Sequence, residues 1–320
     1  MRRYLLRKIV TALIVLLAIS LIVFALIELQ PGNPYSFMMS PNTSPEVYEE
    51  MLEKLGYYDP FIIKYLAWLG RFLMGDMGYS IVTGQAVATM IVERLGSSLL
   101  LSVTSMVVSF ILGTLIGCFT AFNHDKWMDQ MISFGSIVVM SVPAFFIGLI
   151  LIKVFSFDLN WLPASGIQNV RSNSSGWDHI LDVARHLLLP VMTLSATQIS
   201  FFQRYIRANV IEVMRAPYIK TAMSKGLTYR EAVVRHGSKN ILIPILTLFF
   251  LQLPSAFSGA LITETIFVWP GMGKLTYDAV LRRDYMVIMG VLMVSSIIVL
   301  TSNLFADLTY SLIDKRIERS

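Results

Sequence analysis

Six long apolar stretches separated by polar ones set the pattern of this chain: 9–29, 97–122, 130–157, 187–202, 241–263 and 286–308. A helix rising about 1.5 Å per residue crosses a hydrocarbon layer of roughly 30 Å in ~20 residues, so the pattern predicts six transmembrane helices and an all-α, polytopic membrane protein. The fourth stretch is short and unusually polar, carrying Thr193, Ser195, Thr197, Gln198 and Ser200. Such a helix faces a pathway or other helices rather than lipid. The first stretch follows Arg2, Arg3, Arg7 and Lys8 as the core of a signal peptide does, but its length and the lack of a small-residue cleavage site predict a retained helix.

The intervening segments have patterns of their own. Residues 30–94 are too long for a simple turn. Ser44-Pro45 starts one helix there, with Val47, Met51, Leu52 and Leu55 on one face and Gly56 at its end; Phe61, Ile62, Tyr65, Leu66, Leu69, Phe72 and Leu73 recur at helical spacing in a second. These helices pack on the bundle or lie in the membrane interface. Residues 158–185, with Pro163, Gly166 and the Ser172–Gly176 run, read as a loop without a core. Pro143 in the third span and Pro244 and Pro254 in the fifth permit kinks.

Composition agrees: 55% hydrophobic and 15% charged residues are too apolar for an ordinary soluble protein. The net charge of +5 is concentrated in alternate loops rather than spread over a surface that would suit nucleic acid. Its distribution predicts that both termini are cytoplasmic. A single cysteine, Cys118, allows no internal disulfide and no cysteine metal site. His124, His179, His186 and His236 are dispersed through loops and span ends with no His-Glu-x-x-His, and no cofactor is implied. Gly271-Met272-Gly273-Lys274 lacks the first glycine and the final Ser or Thr of a phosphate-binding loop, with Val268 and Leu275 in their places.

The densest charge falls in 212–240. Arg204, Arg207, Arg215, Lys220, Lys225, Arg230, Arg235 and Lys239, in this segment or its flank, are opposed by Glu212 and Glu231. Pro217 suits a first helical position, Gly226 a left-handed stop, and Thr228-Tyr229-Arg230-Glu231 a capping box that opens a second helix. Ile219, Ala222 and Met223 share a face. The segment therefore predicts a two-helix knob on the cytoplasmic side. Tethering at both ends keeps it from following a DNA groove, whereas small residues around a glycine break suit docking into a groove on a soluble partner.

Lys220-Thr221-Ala222, Gly226 and Ile241-Leu242-Ile243-Pro244 resemble the cytoplasmic EAA loop of ABC-importer permeases, with Lys220 and Thr221 where Glu and Ala are usual and a longer gap from glycine to proline. Both departures match the dipeptide/oligopeptide branch, which the chain is similar to throughout: Gln30-Pro31-Gly32-Asn33-Pro34, Gly75-Asp76-Met77-Gly78-Tyr79-Ser80, Glu93-Arg94-Leu95, Tyr218-Ile219-Lys220-Thr221-Ala222, Trp269-Pro270-Gly271-Met272-Gly273, Arg283-Asp284-Tyr285 and Asp314-Lys315-Arg316-Ile317. The resemblance implies a type I ABC-importer permease fold over 94–310, an amino-terminal helix and extracytoplasmic lobe over 1–93 that receives a substrate-binding protein, and a cytoplasmic tail over 311–320. It implies a multi-pass protein of a bacterial or archaeal cell membrane, the first of two related permeases in a peptide system. Its partners would be a second permease subunit, two separate ATPases and the extracytoplasmic binding protein. The ATPases would dock on Tyr218, Ile219, Ala222, Met223 and Gly226, and this subunit itself would be no enzyme.

Polarity alone selects Thr197 and Gln198 in the fourth span and Gln252, Ser255 and Ser258 in the fifth as pathway-lining residues. Asn303 and Asp307, one turn apart in the sixth, form an intramembrane polar pair, read chiefly as structural. A proton-coupled carrier is one rival reading; such carriers show charges deep in several spans or a repeated half, and neither is evident here. The resemblance also leaves open an ABC permease for nickel chelates, haem or another small solute.

Overall fold

Two long helices packed at unusually close range form the centre of the molecule, and the others are arranged around them. The computed structural model describes residues 2–29, 44–54, 56–169, 176–257 and 260–313. Among these the chain is helical, with an isolated antiparallel bridge from Tyr79 to Ala86 and no sheet. Gln30 to Pro34, most of the Ser172–Gly176 run, Ser258 and the Asp314-Lys315-Arg316-Ile317 word lie outside the described residues.

The central pair is α4 (Val87–Phe122) and α7 (Trp177–Met214). Gly113 and Gly117, four apart on α4, let it approach the α7 backbone. A Cβ on Gly113 would lie 2.5 Å from that of Phe202, and one on Gly117 2.9 Å from the Gln203 carbonyl oxygen. Small residues at this spacing permit backbone contact that larger ones forbid. The seam closes over Phe202, Ile206 and Val210, with Ile245 and Leu248 of α10 (Ser238–Phe257) completing the cluster. Inside it Gln203 Nε2 donates to Thr120 Oγ1 at 3.1 Å.

Helix α1 (Arg2–Glu28) lies on α13 (Tyr285–Ile313), and helices α2 (Pro45–Lys54) and α3 (Phe61–Leu73) follow it. Both were expected from the sequence. Ser44 Oγ accepts from Val47 N at 3.4 Å and Gly56 adopts φ +72, as a start and a stop require. Trp68 and Phe72 of α3 pack with Phe24 of α1 and Met289 and Met293 of α13. The opposite face of α3 leaves Ile62, Ile63 and Leu66 exposed.

The six predicted spans are not all reproduced. Leu6–Glu28, Val87–Phe122, Trp177–Met214 and Tyr285–Ala306 are long and apolar enough to cross a membrane. A fifth crossing exists only if α5 (Trp127–Ser141) and α6 (Ala144–Leu151) with its π-helical continuation Ile152–Asp158 count together, and these meet at 99°. The break falls at Pro143, which has no amide proton and forces Val142 out of the helical region to φ −88, ψ 128. The predicted span 241–263 falls on α10, which carries Pro244 and Pro254, and on the short α11 (Leu261–Ile266), with 258–259 between them outside the described residues; over the described residues it is not among the helices long and apolar enough to cross. The predicted span 187–202 is the middle of α7, whose 38 residues reach roughly 57 Å, well beyond the lipid layer. Its first turns occupy the end of the segment read as a coreless loop; Trp177 to His186 is too charged to register as apolar yet still helical.

Candidate functional site

The chain between α7 and α10 folds as the sequence pattern requires. Pro217 opens α8 (Pro217–Ser224), Gly226 ends it at φ +95, and Thr228 caps α9 (Tyr229–Ala232). The capping box is complete: Thr228 Oγ1 accepts from Glu231 N, and the Glu231 carboxylate accepts from Thr228 N at 2.9 Å and Thr228 Oγ1 at 2.7 Å. These bonds hold the Glu231 carboxyl below the usual glutamate range, the Thr228 hydroxyl contributing most. A π-helical turn, Val233–Gly237, joins α9 to α10. Gly237 is required there, since a Cβ would stand 2.8 Å from Val213 of α7.

The knob has a core of its own, made from Ile219, Ala222, Ala232 and Val233 and flanked by Met214, Leu227 and Ile241. Ile219 is fully buried and Ala222 nearly so, which places both inside the knob. Tyr218, Met223 and Gly226, with Lys220, Lys225 and Arg230, are exposed. Tyr218 also ties α8 to α10, its hydroxyl accepting from Asn240 Nδ2 at 2.8 Å. The outer surface of the knob is thus basic, and two of the five residues expected to dock lie beneath it.

Below the knob an ion cluster joins the α4–α5 turn to α7. Arg207 Nε and Nη2 each donate to the buried Asp129 carboxylate at 2.6 Å. His124 stands 3.1 Å from Arg215 Nη2 on one side and 3.2 Å from Asp125 Oδ1 on the other. A bidentate pair fixes the relative rotation of the two elements as well as their distance. No charge pattern in the sequence distinguishes Asp129, which lies 78 residues from its partner.

Nearer the middle of the bundle, Thr197, Gln198, Phe201 and Phe202 of α7, Gln252 of α10, Met106 of α4 and Met140 of α5 line one cleft of about 270 Å³. Three of the five residues selected for polarity therefore meet across two helices. The side chains of Ser255 and Asp307 and the whole of Ser258 lie outside the described residues. Asn303 is exposed on α13, with Ser302 buried beside it.

Residues 113–319 match the family described as binding-protein-dependent transport system inner membrane component, and residues 1–104 match its amino-terminal component. The chain belongs to this family of permeases. The oligopeptide transport system permease protein AppB of Bacillus subtilis is 36% identical over 99% of this chain and 100% of its own length. The dipeptide transport system permease protein DppB of Alkalihalophilus pseudofirmus is 33% identical with the same coverage. The glutathione transport system permease protein GsiC of Escherichia coli is 31% identical over 99% of both chains. Family and apolar helices together make this a multi-pass inner-membrane permease of the peptide-transport type, with the ATPase and substrate-binding partners that such a complex implies.

The words that carried the resemblance meet in space in this permease. Glu264 of α11 is fully buried: its carboxylate accepts from Ser98 Oγ at 2.7 Å and from Lys274 N at 2.9 Å, and Ser98 Oγ accepts from Met272 N at 2.7 Å. Together they satisfy two amides at the start of α12 (Met272–Arg282). Gly271 and Gly273 leave the room, since a Cβ on Gly271 would collide with the Glu264 carboxylate and one on Gly273 would lie 2.6 Å from Leu261 Cα. Trp269 Nε1 donates to the Ser97 carbonyl at 2.9 Å, and Val268 is held at φ +49 between these fixed points. Likewise the buried Asp284 accepts from Ser80 Oγ and from Ile81 N at 3.2 Å, fastening the Gly75-to-Ser80 turn to the start of α13. Sequence reading named Asp284 only as part of the Arg283-Asp284-Tyr285 word and did not select Glu264, which stands five residues before the Trp269-Pro270-Gly271-Met272-Gly273 word.

Proposed function

We propose that this permease is one half of the passage of an ATP-driven importer for short peptides, working beside a second, related permease. An extracytoplasmic binding protein delivers the peptide, and two separate ATPases supply the energy. Both termini and the knob face the cytoplasm. One observation carries the reading: the knob joins the end of α7 to the start of α10, and the same two helices supply Thr197, Gln198 and Gln252 to the cleft. A push on the knob therefore reaches two walls of the passage. Docking on the ATPases falls to Tyr218, Met223 and Gly226, with Ile219 and Ala222 maintaining the knob's shape. Coupling requires that this contact differ between ATPase states, for a partner that binds both alike shifts nothing.

The test uses the assembled transporter in proteoliposomes. Cysteines at Tyr218 and Met223 are expected to crosslink to the ATPases, and uptake should stop without ATP. Uptake driven by a proton gradient with the ATPases removed would make the protein a secondary carrier instead.

A further inference from the structure

From the chemistry of the cleft we infer that it recognises the peptide group itself, pairing Gln198 and Gln252 with main-chain N–H and C=O of the passing peptide while remaining indifferent to side-chain identity. The inference rests on the cleft being part of the passage. The seven described residues that line it are two glutamines, a threonine, two methionines and two phenylalanines, with no charged group among them. The neighbouring stretch 253–259 is also free of charge in sequence. The guanidinium of Arg204 reaches the sulfur of Met140 at 3.9 Å but does not line the space.

Each residue type has a consequence. A peptide amide taken out of water without a hydrogen-bond partner costs about 1–3 kcal/mol on protein scales, so an entirely apolar passage would oppose every peptide bond that entered it. A glutamine amide carries two donors and an acceptor in one plane, the complement of a peptide group, so Gln252, already engaged within the protein, can share or trade that partner with a passing peptide. Placed on α7 and α10, Gln198 and Gln252 face the cleft from two helices. Methionine is flexible and polarizable, and Met106 and Met140 can refit around side chains of different shape. Phe201 and Phe202 offer flat apolar surface. None of the described lining residues is charged, so no lining group fixes a peptide terminus or an acidic or basic side chain. The volume, about 270 Å³, is just under the range of complete small-molecule sites, as suits a half-site completed by a facing subunit.

The experiment compares uptake of tetra-alanine with that of the analogue carrying an ester in place of its central amide, in proteoliposomes containing the whole transporter. Delivery is the same for all permease variants, so a change in the amide-to-ester ratio belongs to the permease. The unaltered protein is expected to favour the amide by about tenfold, the loss of one to two hydrogen bonds. The doubly substituted Gln198→Leu, Gln252→Leu permease should lower the ratio severalfold, to the preference that delivery alone imposes. A ratio unchanged by the double substitution, in complexes recovered at normal yield, overturns the inference. Should that variant assemble poorly, Gln198→Met and Gln252→Met singly are read the same way, each expected to lower the ratio. The reading of the cleft as a passage fails separately. In a Cys118→Ala background, Thr197→Cys should be labelled by a small thiol reagent and protected by tetra-alanine under turnover, and labelling that peptide never alters removes the cleft from the pathway.

Discussion

Gly113 and Gly117 are positions where one added methyl group has a large consequence. Gly113→Leu places its side chain against Phe202 and must part α4 from α7; overpacking of this kind costs about 1–3 kcal/mol, and thermal unfolding of the solubilised protein should show it as a lowered midpoint. Glu264 makes the complementary case. Glu264→Ala leaves Ser98 Oγ and Lys274 N without their carboxylate, at about 1–3 kcal/mol for each buried group left unpaired, whereas Glu264→Gln keeps an acceptor and should lose less. The same unfolding measurement ranks the two. At this scale the sequence is only partly legible. The knob's proline, glycine and capping box announce themselves because their roles are local, spanning three or four residues. Asp129 with Arg207, Ser98 with Glu264 and Ser80 with Asp284 do not, because each pair joins residues at least 78 positions apart.

At the scale of elements the knob has its own small core and its own sensitivities. The folded Glu231 carboxyl releases its proton more readily than in the unfolded chain, so the capping box contributes stability above the unfolded value and loses it as pH falls through the folded one. Hydrogen-exchange protection across 217–237, taken relative to the intrinsic exchange rate at each pH, should therefore fall on acidification, and Glu231→Gln should remove that dependence. Gly226→Val puts a β-branched residue at φ +95, a conformation it resists, although nothing crowds the position. Transport is expected to fall severalfold while α4 and α7 remain packed; unchanged uptake would remove the turn from the coupling role. Element boundaries also explain the misread spans. Hydropathy finds lipid-facing apolar runs, so it missed the charged first turns of α7. It also joined α5 to α6 across Pro143, where the chain turns by 99°.

For the whole molecule the expected outcome concerns sidedness. In a Cys118→Ala background, a membrane-impermeant thiol reagent applied to intact cells should label Trp161→Cys and spare Tyr218→Cys, and the reverse should hold in inverted vesicles. Trp161 and Tyr218 are both exposed, so either reaction is sterically open. Labelling of Tyr218→Cys from outside would turn the knob away from any cytoplasmic ATPase. The helical class, the membrane setting and the family were legible from periodicity and a handful of short words. The arrangement of helices was not, because it depends on contacts between words that the chain separates by a hundred residues or more.

The length of α7 and its tight seat against Gly113 and Gly117 carry a mechanical consequence. From Phe202 the helix extends 12 residues to its knob end at Met214 and 25 residues to its opposite end at Trp177, arms of about 18 and 38 Å. If the helix tilts about that point as one body, a shift at the short arm appears at the far end roughly doubled and in the opposite sense. An unequal seesaw of this kind would spread the outer mouth widely for a small stroke of the motor, and Pro190, on the long arm, is the joint at which the gain would be lost.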